Sequence, residues 1–215
     1  MLKNILIIGA RGHGKEIAQI IHDLNLKAPF FKILGFIDDD KGLKWVNVLE
    51  HKVLGTRKEI ITNTEESVNF AMGIGDPLKK KDIVIGISLG QDRWPCLVHP
   101  SVRMTDSIGF EEGTIIFPGV VLSTDINLGK HVCINTLTSI SHDVTVGDYS
   151  TINPGCMING HVEIGACTYI GSGAIVKDEV RIGEGAIIGA GAVVIEDVEA
   201  RTTVAGVPAR EIHKG

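Results

Sequence analysis

The sequence predicts two folds in one chain: a small parallel α/β domain up to about residue 98, and an all-β solenoid after it. Strand and helix patterns alternate in the first part, and apolar residues recur at every sixth position in the second. The 215 residues include 26 glycines and only 5% aromatics. Because glycine makes up about 12% of the chain, against a usual value of about 7%, many tight turns are expected.

Composition excludes several classes of protein. The chain is 44% apolar and 22% charged, with a net charge of −5, which is typical of a soluble globular protein with one or two domains. It has no apolar run of the roughly 18–20 residues that a membrane helix needs, no cleavable signal and no basic excess for nucleic-acid binding. Its four cysteines lack metal-ligand spacing, so we expect no metal and a reduced, cytoplasmic protein.

The first part alternates between strands, polar turns and helices. The predicted elements are a strand at 5–8, a glycine-rich turn at 9–14, a helix at 15–24, strands at 33–37 and 68–74, and a helix from 78 to about 88. Polar clusters follow each strand. Since ligands of parallel α/β domains bind at the carboxyl ends of the strands, these clusters are expected to form a binding site.

The second part has an unbroken period of six. Every sixth residue from Met104 to Val194 is apolar, sixteen positions in all, and chance would give this in a chosen register with a probability of about 10⁻⁶. A second row, two residues earlier, is always small or β-branched. The position after the first row is Gly or Asn in nine of fifteen cases.

A six-residue period predicts a solenoid with three short faces and a corner after each face, so that eighteen residues make one coil. The large aliphatic row points inward and stacks from coil to coil, which supplies a core without aromatic residues. Gly and Asn after that row are interpreted as the residues that adopt positive φ at each corner.

The glycine-rich turn reads Gly9-x-x-Gly12-x-Gly14. It differs from the dinucleotide fingerprint G-x-G-x-x-G, and the acidic residues begin 29 positions after Gly9 rather than about 20, so a dehydrogenase is disfavoured. A glycine turn at a helix N-terminus offers backbone N–H groups to a phosphate. A tight turn without a ligand remains the alternative.

Motifs along the whole chain resemble the NeuD/PglD-type sugar acetyltransferases. They are the glycine turn, Gly35-Phe-Ile-Asp-Asp39, Gly73-Ile-Gly-Asp76, His99-Pro-Ser101, Gly189-Ala-Gly-Ala-Val-Val194 and Val204-Ala-Gly-Val-Pro-Ala-Arg210. The resemblance implies a Rossmann-like nucleotide-sugar-binding domain at 1–98 and a left-handed parallel β-helix acetyltransferase domain at 99–215. General crossover rules alone would predict the opposite hand.

The resemblance also implies the acceptor substrate, a UDP-linked amino sugar. The residues implied to bind it are Arg11, Gly12, His13, Asp38, Asp39 and Gly75. The family often has an arginine shortly after the Gly-Asp pair, where this chain has the run Lys79-Lys80-Lys81. These lysines either replace that counter-charge or form a solvated helix face.

His142-Asp143 is the best candidate for a catalytic pair. It lies two positions after inward-facing Ile140, and a neighbouring carboxylate orients an imidazole and stabilises its protonated form. A solvated corner histidine is the alternative from spacing alone. The resemblance assigns His142 as general base, and Gly160, one coil further, as the oxyanion donor. His131 and His161 are interpreted as structural residues of surface corners.

The resemblance implies that acetyl-CoA binds between neighbouring β-helices of a homotrimer. The residues implied to contact it are Asn135, Thr151, Ser172, Gly173, Gly189, Ala190 and Gly191; at the Thr151 position some members of the family carry histidine. The leading function is direct N-acetylation of a nucleotide-linked amino sugar, here a UDP-4-amino-dideoxy sugar, for bacterial glycan or glycoprotein synthesis. Sugar O-acetylation of the sialic-acid type and a non-catalytic nucleotide-sugar- or CoA-binding partner are the alternatives.

Overall fold

The computed structural model describes residues 2–87 and 90–212, which form an α/β domain followed by a three-sided parallel β-helix. The domain contains β1 (Lys3–Ile8), α1 (Gly12–Lys27), β2 (Phe31–Ile37), β3 (Asn47–Val48), β4 (His51–Gly55), α2 (Arg57–Ile61), β5 (Asn69–Met72) and α3 (Pro77–Ile87). Its sheet has the order β3-β4-β2-β1-β5, and every pair is parallel except β3 with β4. No described helix is long and apolar enough to cross a membrane.

Two features of this domain differ from the sequence prediction. The hairpin β3–β4 and the short helix α2 were not predicted, although Thr56 and Glu59 form a capping box at the start of α2. Helix α1 begins at Gly12 rather than at residue 15, so only Gly9, with φ of 100°, is a turn glycine. Gly14 is needed for close packing, because a Cβ there would lie 1.9 Å from the Gly9 carbonyl oxygen. The predicted end of α3 near 88 falls outside the described residues.

The β-helix has three faces, which we name by their surroundings. The covered face, which packs against the domain, contains β6 (Leu97–Val98), β8 (Ile115–Ile116), β11 (Cys133–Ile134), β14 (Thr151–Ile152), β17 (Tyr169–Ile170), β20 (Ile187–Ile188), β22 (Thr203–Ala205) and, antiparallel at its end, β23 (Arg210–Glu211). The apolar face contains β9 (Val121–Leu122), β12 (Ser139–Ile140), β15 (Met157–Ile158), β18 (Ile175–Val176) and β21 (Val193–Val194). The polar face contains β7 (Gly109–Phe110), β10 (Asn127–Leu128), β13 (Thr145–Val146), β16 (Glu163–Ile164) and β19 (Arg181–Ile182).

The inward aliphatic row is confirmed. From Ile116 to Val194 every sixth residue is at most 3% exposed. Met104 is exposed and Phe110 is half-buried, because they belong to the first coil, which has no coil before it to cover them. Successive coils pair with an offset of eighteen residues, as in Ile134 with Ile152.

The corner prediction was wrong about which position has positive φ. The left-handed residue lies three positions after the aliphatic row, as at Leu137, Asp143 and His161, each with φ of 58°. The glycines directly after that row serve a different purpose, which is close approach between coils. A Cβ at Gly147 would lie 2.5 Å from the backbone nitrogen of Ala166, so a larger residue would force the two coils apart.

The two parts of the chain share a hydrophobic core. Leu97, Ile115, Phe117 and Cys133 of the β-helix lie in one buried cluster with residues of β1 and α1. The strand Leu97–Val98 already pairs with Ile115–Ile116 of the β-helix. Because this core and this strand pairing connect the two parts, the division of the chain into domains at 1–98 and 99–215 stays a prediction.

His131 is buried, at 2% exposure, so its interpretation as a surface corner was wrong. Its ring stacks on Tyr149, with centroids 5.5 Å apart, and meets Trp94 edge-on. Its Nδ1 has no hydrogen-bond partner within the described part of the chain. Burial, together with the positive charges of Lys80 and Lys130, lowers the pKa of His131 from 6.5 to about 4.

This histidine makes stability depend on pH. Between pH 6.5 and pH 4 the unfolded chain binds a proton at residue 131 that the folded chain does not bind. The free energy of unfolding should therefore fall as the pH falls through that range, by up to about 3 kcal/mol. His131→Phe, which keeps an aromatic ring in the stack, should remove this component.

The measurement is urea unfolding at a series of pH values from 7 to 4. His22→Phe, on an exposed position of α1, is the matched control and should retain the full dependence on pH. If the wild type and His131→Phe lost stability equally over this range, the proposed origin of the effect would be wrong.

Candidate functional site

The carboxyl ends of β1 and β2 bring several of the predicted acceptor residues together. The Asp38 carboxylate accepts hydrogen bonds from the backbone N–H groups of Ala10 and Asp40, both at 2.9 Å. It therefore fixes the glycine-rich turn against the end of β2. Arg11 reaches across this edge to Asp40, with 2.8 Å between Nη2 and Oδ2.

Asp39 is paired with Arg57, a residue that the sequence reasoning missed. Its Oδ2 accepts from the Arg57 Nε at 2.7 Å, and its Oδ1 accepts from the Arg57 backbone N–H at 2.9 Å. Burial raises the pKa of Asp39, but the hydrogen bonds and charge of Arg57 outweigh it, so the pKa is lowered. Asp39 is an anion held by an arginine, beside an open cavity of about 730 Å³.

A second cavity, of about 670 Å³, lies between the domain and the β-helix. The domain contributes His13, Gly75 and Leu78 to its wall, and the β-helix contributes Asn135, Asn153 and Tyr169. It combines an apolar wall with convergent polar groups, as ligand sites usually do. The structure thus places His13 and Gly75 in one cavity and Asp39 in the other, while Arg11 remains on the surface between strand ends.

His13 lies in the first turn of α1 and stacks on Phe117 of the β-helix, with ring centroids 5.2 Å apart. Its Nδ1 faces Glu16 at 3.3 Å and its Nε2 lies 3.7 Å from the Cys133 sulfur. Burial lowers the pKa of His13, but Cys133 and Glu16 more than offset this, so the pKa is raised. The histidine is therefore held in one orientation at the wall of the cavity.

The lysine run separates into residues with different environments. Lys79 is exposed, whereas Lys80 is fully buried between α3 and the covered face. The Lys80 amine donates to the Thr151 hydroxyl at 3.1 Å, and that hydroxyl donates to the Gly75 carbonyl at 2.8 Å. Burial lowers the pKa of Lys80 to about 8. Lys80 is thus neither a surface charge nor a solvated helix residue, and it fixes the position of the Gly75 loop.

His142 and Asp143 lie at the corner between the apolar and polar faces, which we call the His142 edge (residues 142–143, 160–161 and 178–179). The His142 Nδ1 is 2.9 Å from the Asp143 Oδ2, and Nε2 has no hydrogen-bond partner among the described residues. Both side chains are about half exposed. This arrangement fixes the tautomer of a potential base with its free nitrogen accessible.

Gly160 lies directly beneath the imidazole, one coil further along. A Cβ at Gly160 would lie 2.6 Å from Cε1 and 2.9 Å from Nε2 of His142. The Gly160 N–H donates to the Asp178 carboxylate at 3.2 Å. Gly160 can serve as an oxyanion donor only if the substrate displaces that carboxylate. Asp178 was missed, although it lies eighteen residues after Gly160 and the coil length points to it.

Some of the residues implied to contact CoA are accessible to solvent, and others are buried. Ser172, Gly173, Ala190 and Gly191 are exposed, and Gly189 is half-buried, at the corner between the covered and apolar faces. We call this corner the Asn135 edge (residues 135–137, 153–155, 171–173 and 189–191). Asn135 itself is buried, and so is Thr151, whose hydroxyl is occupied by Lys80 and Gly75. Thr151 therefore offers no accessible group to a ligand in this structure.

Within one chain, the cavity and the His142 edge are separated by the apolar face. Leu137 on the Asn135 edge and Asp143 on the His142 edge are six positions apart in sequence. Extended backbone of that length spans up to about 20 Å, which is the largest possible width of the face between the two edges. Both edges border the same apolar face. The cavity and the His142 edge are therefore two candidate half-sites, which lie on either side of one face.

Comparison with known proteins identifies the two parts of the chain. The family model of the PglD N-terminal domain matches residues 4–87, and that of the bacterial transferase hexapeptide (six repeats) matches residues 161–196. A curated UDP-N-acetylbacillosamine N-acetyltransferase of Bacillus subtilis (strain 168) is 32% identical over 124 residues, which are 54% of this chain and 51% of that protein. The match thus spans about half the length of that relative.

Two solved structures match over nearly their whole lengths. The acetyltransferase domain of PglB from Neisseria gonorrhoeae FA1090, in complex with acetyl coenzyme A, is 26% identical with a TM-score of 0.88, covering 99% of this chain and 100% of that one. PerB from Caulobacter crescentus, in complex with CoA and GDP-perosamine, is 25% identical with a TM-score of 0.88, covering 99% of each chain. The prediction of a left-handed β-helix is confirmed, and so is the resemblance of the chain to the NeuD/PglD-type sugar acetyltransferases.

Proposed function

We propose that the protein is an acetyl-CoA-dependent N-acetyltransferase that acts on the amino group of a nucleotide-linked sugar. The observation that carries the proposal is the His142–Asp143 contact, with 2.9 Å between Nδ1 and Oδ2, directly above Gly160. Relatives with this fold hold acetyl-CoA, or CoA together with GDP-perosamine. An imidazole with a fixed tautomer and a free Nε2 supplies the base that acetyl transfer to an amine requires.

The reaction is direct transfer. The neutral amine attacks the thioester carbonyl, and the new C–N bond forms as the carbonyl oxygen becomes an oxyanion. The His142 Nε2 takes the proton from the attacking nitrogen, while Asp143 holds the Nδ1–H and stabilises the imidazolium. The Gly160 N–H, freed from Asp178, donates to the oxyanion. When the C–S bond breaks, the imidazolium returns its proton to the leaving CoA sulfur.

The acceptor occupies the cavity lined by His13, Gly75 and Asn135, and acetyl-CoA lies along the Asn135 edge. A UDP-linked 4-amino sugar is the proposed acceptor. Ser172, Gly173 and the 189–191 segment are the accessible groups along that edge. The free thiols among the described cysteines and the use of acetyl-CoA support a cytoplasmic location.

The test is thiol release from acetyl-CoA with UDP-, dTDP- and GDP-linked amino sugars, alongside free sialic acid. Release is expected with an amino sugar and absent with its N-acetylated form. Release with sialic acid alone would favour O-acetylation. Tight binding of a nucleotide sugar without thiol release would favour a non-catalytic partner.

We propose that three chains assemble around the apolar face. Its outward residues include Val121 and Met157, which are 44% and 53% exposed, whereas Asn127, Thr145 and Glu163 occupy the corresponding positions on the polar face. Because both half-sites border the apolar face, assembly through it brings the cavity of one protomer to the His142 edge of its partner. A homotrimer is the assembly that the family resemblance implies.

Met157→Lys should therefore dissociate the assembly and abolish acetyl transfer together. A lysine at the centre of an apolar interface would be desolvated without a partner. Light scattering after size exclusion reports the mass, and thiol release reports the activity. Thr145→Lys, on the polar face, is the matched control and should retain both. A monomeric Met157→Lys protein with full activity would contradict a site shared between protomers.

A further inference from the structure

The His142 edge brings together three side chains that commonly bind transition metals. The Nδ1 atoms of His142 and His161 face the same carboxylate oxygen of Asp143, at 2.9 and 3.8 Å. All three donor atoms lie within 4.8 Å of one another, and this is the one such group among the described residues. Donors around one tetrahedral zinc ion are about 3.3 Å apart, so small side-chain rotations bring the three donors into range.

The coil register explains why these groups converge. Asp143 and His161 occupy the same left-handed corner position in successive coils, each with φ of 58°, and the His161 N–H donates to the His142 carbonyl at 3.0 Å. The two imidazoles meet edge-on, with centroids 5.1 Å apart. Their side chains are about half exposed, so an ion can enter from solvent and a water molecule can take the fourth position.

Charge at this edge also favours a cation. Asp125 and Glu179 occupy the same corner position one coil before Asp143 and one coil after His161, and both are exposed. Asp178 lies beside Gly160. Two imidazoles and one carboxylate suit Zn²⁺ or Co²⁺ rather than Mg²⁺, which prefers oxygen ligands.

We propose that His142, Asp143 and His161 form an inhibitory site for a Zn²⁺-class ion. The ion binds the neutral imidazoles through Nδ1, any protons on those nitrogens pass to solvent, and the carboxylate leaves its contact with His142 to become a ligand. His142 then lacks the partner that fixes its tautomer, and its side chain is no longer free to act as a base. The inhibition rests on the proposed function, whereas the binding of the ion does not.

Binding is tested by titrating the metal-free protein with Co²⁺ and recording the visible absorption bands of a four-coordinate ion, then displacing Co²⁺ with Zn²⁺. We expect one ion per chain and a Zn²⁺ dissociation constant at least about 10-fold higher in His161→Asn, which keeps a polar residue that tolerates positive φ. His22→Asn should bind as the wild type does. Absence of the bands, or equal Zn²⁺ affinity in His161→Asn, would overturn the proposal.

Inhibition is tested by thiol release with increasing Zn²⁺, expressed relative to the metal-free rate of each variant. The Zn²⁺ concentration that halves the rate should rise at least about 10-fold in His161→Asn, and Mg²⁺ should have no effect. Inhibition that is identical in His161→Asn would contradict this site. If no variant released thiol without metal, the proposed function would fail while the Co²⁺ titration still decided the binding.

Discussion

Replacing His142 with alanine should lower kcat for acetyl transfer by about 10²- to 10⁴-fold, the usual contribution of a positioned general base. The variant loses the free Nε2 that accepts the proton of the attacking amine. It also loses the Nδ1 that now contacts Asp143. Because the side chain is about half exposed, the free energy of unfolding should change little.

The measurement is the rate of thiol release at saturating acetyl-CoA and amino sugar, with circular dichroism to check the fold. His22→Ala is the matched control, since it removes an exposed histidine from α1. It should retain the wild-type rate. Near-normal turnover by His142→Ala would exclude this histidine as the base.

Gly160→Ala should have the next largest effect, a loss in kcat of about 100-fold. The new Cβ would lie 2.6 Å from the Cε1 atom of His142, so the imidazole must move away from its position above the backbone. A displacement of about 1 Å in a reacting group costs about 100-fold in rate. The backbone N–H remains in the alanine variant, so the loss reports the position of His142 rather than removal of the oxyanion donor.

The matched control is Gly86→Ala in α3, where an added Cβ meets no atom of the described residues within 4 Å. It should leave the rate unchanged and slightly stabilise the helix. The affinity for acetyl-CoA, measured by calorimetry, should be unchanged in both variants. A fully active Gly160→Ala protein would mean that His142 acts from a different position than the one described.

The sequence was most informative where chemistry and structure are local. The inward row could be predicted because each coil repeats the same pairing, and His142 contacts Asp143 because the two are adjacent in sequence. The fold and the resemblance to the sugar acetyltransferases are confirmed. The roles of the individual site residues remain predictions.

Features that depend on distant contacts could not be predicted. Arg57 reaches Asp39 only because β4 and α2 fold back beside β2, and a hairpin with two-residue strand β3 leaves little hydrophobic periodicity. Lys80 meets Thr151 across 71 positions of sequence, so its burial could not be distinguished from the exposure of Lys79. The positive φ of His131, Leu137 and Asp143 was missed because residue type suggested that glycine and asparagine would occupy such positions.

The shared core has a consequence for how this architecture can evolve. Phe117, Ile115 and Cys133 point outward from the coils and pack into the same cluster as β1 and α1, while Lys80 is anchored to the next coil. Exchange of the N-terminal domain between relatives would therefore leave a buried lysine without its partner and an apolar surface uncovered. Both costs are avoided only if the matching coil residues are exchanged with the domain. We therefore expect few recombinants at the boundary between the α/β domain and the β-helix to be stable. New acceptor specificity is more readily reached by point substitutions around the cavity.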